Sequence, residues 1–121
     1  MRTLSGTNMG RALAGWMSAH VSRLLPVDRL SETDALVAPR HPKPSHAFHV
    51  LLVPKKAIAS IEELAGSDAA FLADLFTTVQ ELVKQFKLPA YRLVVNGGEY
   101  QDFPQLHFHL ISDPEKLEAD R

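Results

Sequence analysis

In the run Gln105-Leu106-His107-Phe108-His109-Leu110-Ile111 two imidazoles stand two residues apart. Side chains alternate along a β-strand, so Gln105, His107, His109 and Ile111 share one face and Leu106, Phe108 and Leu110 the other. The pattern predicts an apolar face against the core and a polar face carrying both histidines, their Cα atoms about 7 Å apart. Two imidazoles at that separation can address one small anion or one metal ion. A neutral imidazole is also a nucleophile towards phosphorus, and an unperturbed pKa of about 6.5 keeps it mostly neutral at pH 7. The bland alternative is a half-exposed strand whose histidines simply face water. A metal site would need a third and a fourth ligand. His49 supplies one if its strand pairs with the last, and nothing in the sequence fixes the rest.

Composition narrows the remaining chemistry. The chain has 121 residues, 13 Lys+Arg against 14 Asp+Glu, six histidines and a formal net charge of -1. That length predicts one domain burying about two-thirds of its unfolded surface, so a site lies on one core's surface or at a subunit interface. Near-zero charge argues against general nucleic-acid binding, which draws its affinity from many Lys and Arg on phosphates. No cysteine is present, which removes disulfides, zinc ribbons and thiolate nucleophiles and leaves histidine and carboxylate as reactive groups. No apolar run approaches the roughly 18 residues of a membrane span, and residues 1–25 lack a secretory apolar core, so the expectation is a soluble cytoplasmic protein with no membrane partner. Residues 1–27 hold Arg2, Arg11 and Arg23 and no acid. A basic, acid-poor amphipathic start also fits an organelle transit peptide, although a helix packed on the domain is the simpler reading.

The elements that must position the histidines follow from periodicity. Leu13, Trp16, Met17, Val21 and Leu24 recur at helical spacing over 11–25, with Thr7 or Asn8 as cap and Pro26 as stop; His20 falls on or beside that stripe as a packing residue. Residues 1–30 thus read as an N-terminal helical extension and 31–121 as the main domain. A short strand is expected over 35–38. The following Pro39-Arg40-His41-Pro42-Lys43-Pro44 is an extended loop, in or beside which His41 and His46 read as solvated residues. Residues 48–53 form a strand containing His49 and ended by Pro54. Ser60 and Glu63 make a capping-box pattern opening a one-turn helix closed by Gly66. Ser67 caps a longer helix whose Phe71, Leu75, Val79, Leu82 and Phe86 keep one register up to Pro89. A strand over 91–96, the turn Asn96-Gly97-Gly98 and a last strand over 105–112 complete an α+β domain around an antiparallel sheet.

Taken in order, Pro44 to Lys56 with its His49-Val50-Leu51-Leu52-Val53-Pro54-Lys55-Lys56 core, a helix, Arg92-Leu93-Val94-Val95-Asn96-Gly97-Gly98, Gln101 and the His107-Phe108-His109 strand resemble the histidine-triad (HIT) family over about residues 35–112. The resemblance implies a sheet of about five antiparallel strands with one long and one shorter helix packed on it, commonly dimerised. It implies a small-molecule nucleotide substrate, attack of the middle histidine on the α-phosphate, and a transient nucleotidyl-imidazole. His107 takes that position. His109 and His49 would contact the phosphate oxygens, and Asn96 and Gln101 match polar residues near the phosphate and sugar. The region around Leu36 and Val37 would line the base and ribose pocket. The scheme requires no metal and no cofactor.

Three positions depart from the family pattern. Gln105 takes the place of the first triad histidine; its backbone carbonyl can still hold His107. Ala57 stands where many relatives have a histidine. Asp102 stands where many carry serine or threonine, and an ionised carboxylate there repels a phosphate unless it turns into water. The expectation is a homodimeric hydrolase or nucleotidyl transferase acting on a nucleoside phosphoramidate or phosphoanhydride. A HIT-fold protein that binds a phosphorylated metabolite without turnover, and an interaction module using its N-terminal helix, are the alternatives.

Overall fold

Seven consecutive residues from Phe48 to Pro54 are all buried, and the sheet is assembled on them. The computed structural model describes residues 29–113, so the helix expected over 11–25 and His20 lie outside them. Strands β1 (Arg29–Glu32), β2 (Leu36–Pro39), β3 (Phe48–Pro54), β4 (Arg92–Val95) and β5 (Phe108–Ser112) form one sheet in the order β1-β2-β3-β5-β4. Every pairing is antiparallel. Helix α1 (Ala69–Gln85) lies between β3 and β4 in sequence.

Alternation along β3 sorts the two faces. Phe48, Val50 and Leu52 join Leu36, Ala38, Phe108 and Leu110 in one core with Phe71, Leu75, Val79 and Leu82 of α1. Leu51 and Val53 point the other way and cluster with Val37. His49 has the parity of this second group. The β3–β5 register pairs His49 with Ile111 and Leu51 with His109, so both histidines belong to the face turned away from α1.

Several elements differ from the sequence expectation. β1 carries no alternating apolar pattern; pairing with β2 makes it a strand, and its Glu32 is held by Arg29 and by Lys55 at 2.5 Å. Those cations, Lys55 foremost, keep the Glu32 carboxyl below its ordinary range. β2 runs one residue later than expected. The one-turn helix is a 3-10 turn over Ile61–Glu63, and Ser60 makes no side-chain cap. A second 3-10 turn over Gly66–Asp68 leads into α1. Asp68, not Ser67, closes this junction. Its Oδ2 accepts the Ala65 N–H at 2.9 Å, and its Oδ1 accepts Lys56 Nζ at 2.9 Å. α1 ends ahead of Pro89 because Lys87 turns left-handed (φ 51°), while the Leu88 N–H returns to Val83 O at 3.1 Å.

The last strand is regular only from Phe108. After Pro104 the chain makes a tight turn, Gln105 N–H donating to Phe103 O at 2.8 Å, and Leu106 N–H then donates to Ile58 O at 2.8 Å. Residues 105–107 are therefore held by the loop preceding α1 and not by the strand ladder. The expected water-facing side of this segment is buried: Gln105 is 0% exposed and His107 8%.

Candidate functional site

Antiparallel pairing of β3 with β5 sets His49 beside His109, and their rings are joined by a hydrogen bond of 2.9 Å between His49 Nε2 and His109 Nδ1. The Ser45 N–H donates to His49 Nδ1 at 3.2 Å. An amide N–H can only donate, so neutral His49 carries its proton on Nε2 and gives that bond to His109. His109 then accepts at Nδ1 and carries its own proton on Nε2. Both rings are neutral at pH 7. Burial lowers each pKa to about 4; His41, His109 and His46 add repulsion at His49, and His107, His41 and His46 do so at His109, against weaker opposition from Asp113 and Asp102 respectively.

His107 has the complementary arrangement. Its Nδ1 lies 2.8 Å from the Gln105 backbone carbonyl. A carbonyl only accepts, so the proton is on Nδ1 and the lone pair on Nε2. The rings of His107 and His109 meet edge to face with centroids 5.0 Å apart. The site therefore presents a nucleophilic nitrogen beside a ring that carries an N–H donor. These roles come from two backbone groups, Gln105 O and Ser45 N, that a side-chain motif does not report.

Other expected residues are distributed as follows. The Gln105 side chain is wholly buried; among the described residues its Oε1 meets no donor and its Nε2 reaches Leu106 O at 3.4 Å, so the residue serves His107 through its main chain. Gln101 Nε2 donates to Ala59 O at 2.7 Å and to Phe103 O at 2.8 Å. Its amide hydrogens thus tie down the loop before β5 and are not turned to the histidines. Asn96 directly follows β4, one residue past the Val95–Phe108 pair and so level with His107. Asp102 is turned into water, its side chain 90% exposed, yet its Oδ1 lies 4.0 Å from His107 Nε2. Leu36 belongs to the helix-side core and is no site residue, whereas Val37 packs with Leu51 and Val53 on the histidine face.

His41 and His46 correct the reading of a solvated loop. The Arg40–Val50 bridge and the His41 N–H, which donates to His49 O at 2.9 Å, fold the Pro-rich loop back onto β3. The His41 ring then lies 4.4 Å from that of His49 and is stacked 6.1 Å from that of His109. His46 meets His49 at 5.4 Å, and its Nδ1 is 2.5 Å from Asp113 Oδ2. Five imidazoles thus share one face. The signal available in the sequence was the crowding of His41, His46 and His49 within nine residues around restricted prolines. Among the described residues no group of three or more His, Cys, Asp or Glu is disposed to hold a metal ion. Nor is any described helix long and apolar enough to cross a membrane.

Comparison with known proteins places this geometry among relatives. An uncharacterised HIT-like protein of Synechococcus elongatus is 34% identical over 94 residues, covering 75% of this chain and 82% of its own. The crystal structure of a HIT family hydrolase from Legionella pneumophila Philadelphia 1 superposes with a TM-score of 0.70 at 27% identity, covering 80% of this chain and 89% of that one. A histidine triad nucleotide-binding protein from Candida albicans superposes with a TM-score of 0.65 at 26% identity, over 78% of this chain and 72% of that one. The HIT domain profile matches residues 23–116, a span that includes all five strands, α1 and the five clustered histidines. The chain belongs to the HIT domain family.

Proposed function

We propose that the protein is a nucleotide hydrolase or nucleotidyl transferase acting on a nucleoside phosphoramidate or phosphoanhydride through a nucleotidyl-imidazole at His107. The observation that carries this reading is the bond from His107 Nδ1 to Gln105 O, which puts the lone pair on Nε2. In the first step Nε2 attacks the α-phosphorus. A P–N bond forms, and the bond to the leaving amine or phosphate breaks, its electron pair going to the leaving group, which takes a proton from solvent. In the second step water attacks phosphorus, its proton passes to solvent, and the P–N electron pair returns to Nε2. The His109 Nε2–H, oriented through His49, donates to the phosphoryl oxygens as charge develops on them. The Gln105 variant of the triad retains this function because the group that orients His107 is a backbone carbonyl. One relative named a hydrolase and another named a nucleotide-binding protein support hydrolysis and a nucleotide ligand respectively.

The alternative is a HIT-fold protein that binds a nucleotide or another phosphorylated metabolite without turnover. Mixing the protein with adenosine 5′-phosphoramidate separates the two. A hydrolase releases AMP and shows an adenylyl mass on a peptide containing His107, and His107→Ala abolishes both with unchanged circular dichroism. Binding without adduct or AMP selects the second reading. The same proposal includes a cytoplasmic homodimer, since one small core leaves little room for a complete pocket; light scattering of the full chain tests the dimer.

A further inference from the structure

Asp113 takes part in none of the steps above, yet its carboxylate holds the loop that governs His49. The β3–β5 ladder ends at the Phe48–Ser112 pair. One residue further on each strand, side-chain bonds replace the backbone ones: Asp113 Oδ1 accepts the Ala47 N–H at 2.8 Å, and Asp113 Oδ2 lies 2.5 Å from His46 Nδ1. Hydrogen bonds to an ionised acceptor are roughly twice as strong as neutral ones, so this carboxylate is a firmer anchor than a further rung of the ladder. Because a carboxylate only accepts, His46 carries a proton on Nδ1.

The two anchored residues directly follow Ser45, whose N–H donates to His49 Nδ1 at 3.2 Å. N–H bonds extend to about 3.2 Å and a contact of about 3.6 Å is no longer one, so an outward shift of the loop by about 0.4 Å ends this bond. The His46 ring also braces His49, meeting it edge-on with centroids 5.4 Å apart. The start of the loop is tied down separately, by the Arg40–Val50 bridge and the His41 N–H bond to His49 O, which leaves its last residues to Asp113. The hydrogen bond at one nitrogen of a neutral imidazole sets which tautomer is present. Without the Ser45 N–H, His49 is free to take its proton on Nδ1, and its Nε2 then turns a lone pair to His109 Nδ1. Two facing lone pairs repel, so His109 moves its own proton to Nδ1 and loses the Nε2–H beside His107.

We propose that Asp113 is a positioning residue of the site, acting through Ser45 and His49 to keep the proton of His109 on Nε2. Its effect on rate rests on the nucleotidyl-imidazole reading above, whereas its effect on the proton positions rests on these contacts alone.

Proton–nitrogen NMR correlations of the full chain, labelled with nitrogen-15 in its histidines, read the protonated nitrogen of each ring at pH 7.5. In wild type His49 and His109 are expected to carry their protons on Nε2. Asp113→Ala should shift both towards Nδ1. Asp113→Asn keeps an oxygen for the Ala47 N–H but turns an amide donor to His46, so His46 should move its proton to Nε2 while His49 and His109 stay as in wild type. A general loosening of the fold does not produce that split. Ser45→Pro removes the N–H itself with Asp113 intact and should reproduce the Asp113→Ala shift, which keeps the test open should Asp113→Ala fail to fold. Wild-type proton positions in either of these two variants with native circular dichroism overturn the proposal, and so does an Asn variant as disturbed at His49 as the Ala variant. On adenosine 5′-phosphoramidate, Asp113→Ala should lose about tenfold in kcat with KM within about twofold, and Asp113→Asn should recover most of the loss. A loss confined to KM overturns the positioning role. If wild type shows no turnover while the proton positions depend on Asp113, that role stands and the hydrolase reading falls.

Discussion

His49 Nε2 and His109 Nδ1, separated by 60 positions in the chain, are 2.9 Å apart across the β3–β5 pair. With Ser45 N–H donating to the other nitrogen of His49, this contact fixes the proton positions of two rings in series, from a backbone amide to a donor beside His107. The pair can do this only while neutral, and burial keeps it so.

Removing His49 should therefore act through His109. His49→Ala leaves His109 without the donor that selects its tautomer, and kcat on a nucleoside phosphoramidate should fall by about a hundredfold, the scale of losing one positioned donor. KM should change little. His49→Gln, whose amide N–H can still donate towards His109, should recover part of the loss. Equal activity of the Ala and Gln variants would show that bulk, not the proton, is what His49 provides.

The same burial has a thermodynamic consequence. The ordinary histidine pKa is 6.5, and both His49 and His109 are lowered to about 4 in the fold. As pH falls through 6.5 the unfolded chain binds protons that the native chain does not, so stability decreases down to about pH 4, where the native rings protonate too. At about 1.4 kcal/mol per pKa unit, and with both rings partly hydrated and repelling each other, the loss over this window is about 2–4 kcal/mol. Urea midpoints at pH 7.5 and 4.5 measure it. The carboxyls of Glu32 and Asp68, lowered chiefly by Lys55 and Lys56, contribute their own loss below that range. A His49→Asn, His109→Asn double variant should flatten the difference between pH 7.5 and 4.5; an unchanged slope would assign the effect to other groups.

Those two rings also show where sequence stops determining structure. α1 was legible because Phe71, Leu75, Val79 and Leu82 repeat at one helical spacing, and β3 because its apolar run ends at Pro54. The facing of His107 and His109 follows from the period of two. The approach of His49 to His109 needs the β3–β5 register, which is set by tertiary pairing and leaves no local mark. His41 and His46 sit among prolines and polar residues that normally mean a solvated loop, and it is the Arg40–Val50 bridge, the bond of His41 N–H to His49 O and the contacts of His46 and Ala47 with Asp113 that fold them onto the sheet. Gln105 has the parity of a wet face, yet Pro104 and the Leu106 N–H bond to Ile58 O turn it inside. β1 owes its strand conformation to β2.

Gln105 supplies a sharp test because its side chain and main chain have different jobs. The Oε1 is buried with no donor among the described residues, a situation costing about 1–3 kcal/mol, while the carbonyl orients His107. Gln105→Met keeps the carbonyl and a similar volume, so it should raise stability by about 1 kcal/mol and leave adduct formation at His107 within a fewfold of wild type. A loss of activity near that of His107→Ala, in a folded variant, would mean that the amide itself takes part.

Asp102 offers the opposite case, a group predicted to hinder. Its carboxylate is 4.0 Å from His107 Nε2 but 90% exposed, so water and salt screen most of its field. Replacing it by Asn removes one negative charge beside the incoming phosphate and keeps the shape. KM for an anionic nucleotide should then fall a fewfold at low ionic strength, and the difference should shrink as salt is raised towards about 0.5 M, where the screening length is only a few ångströms. kcat should stay within about twofold, because the carboxylate repels bound substrate and developing charge alike. A large drop in kcat with Asp102→Asn would overturn this assignment, since it would make the carboxylate a proton acceptor or an orienting partner for His107.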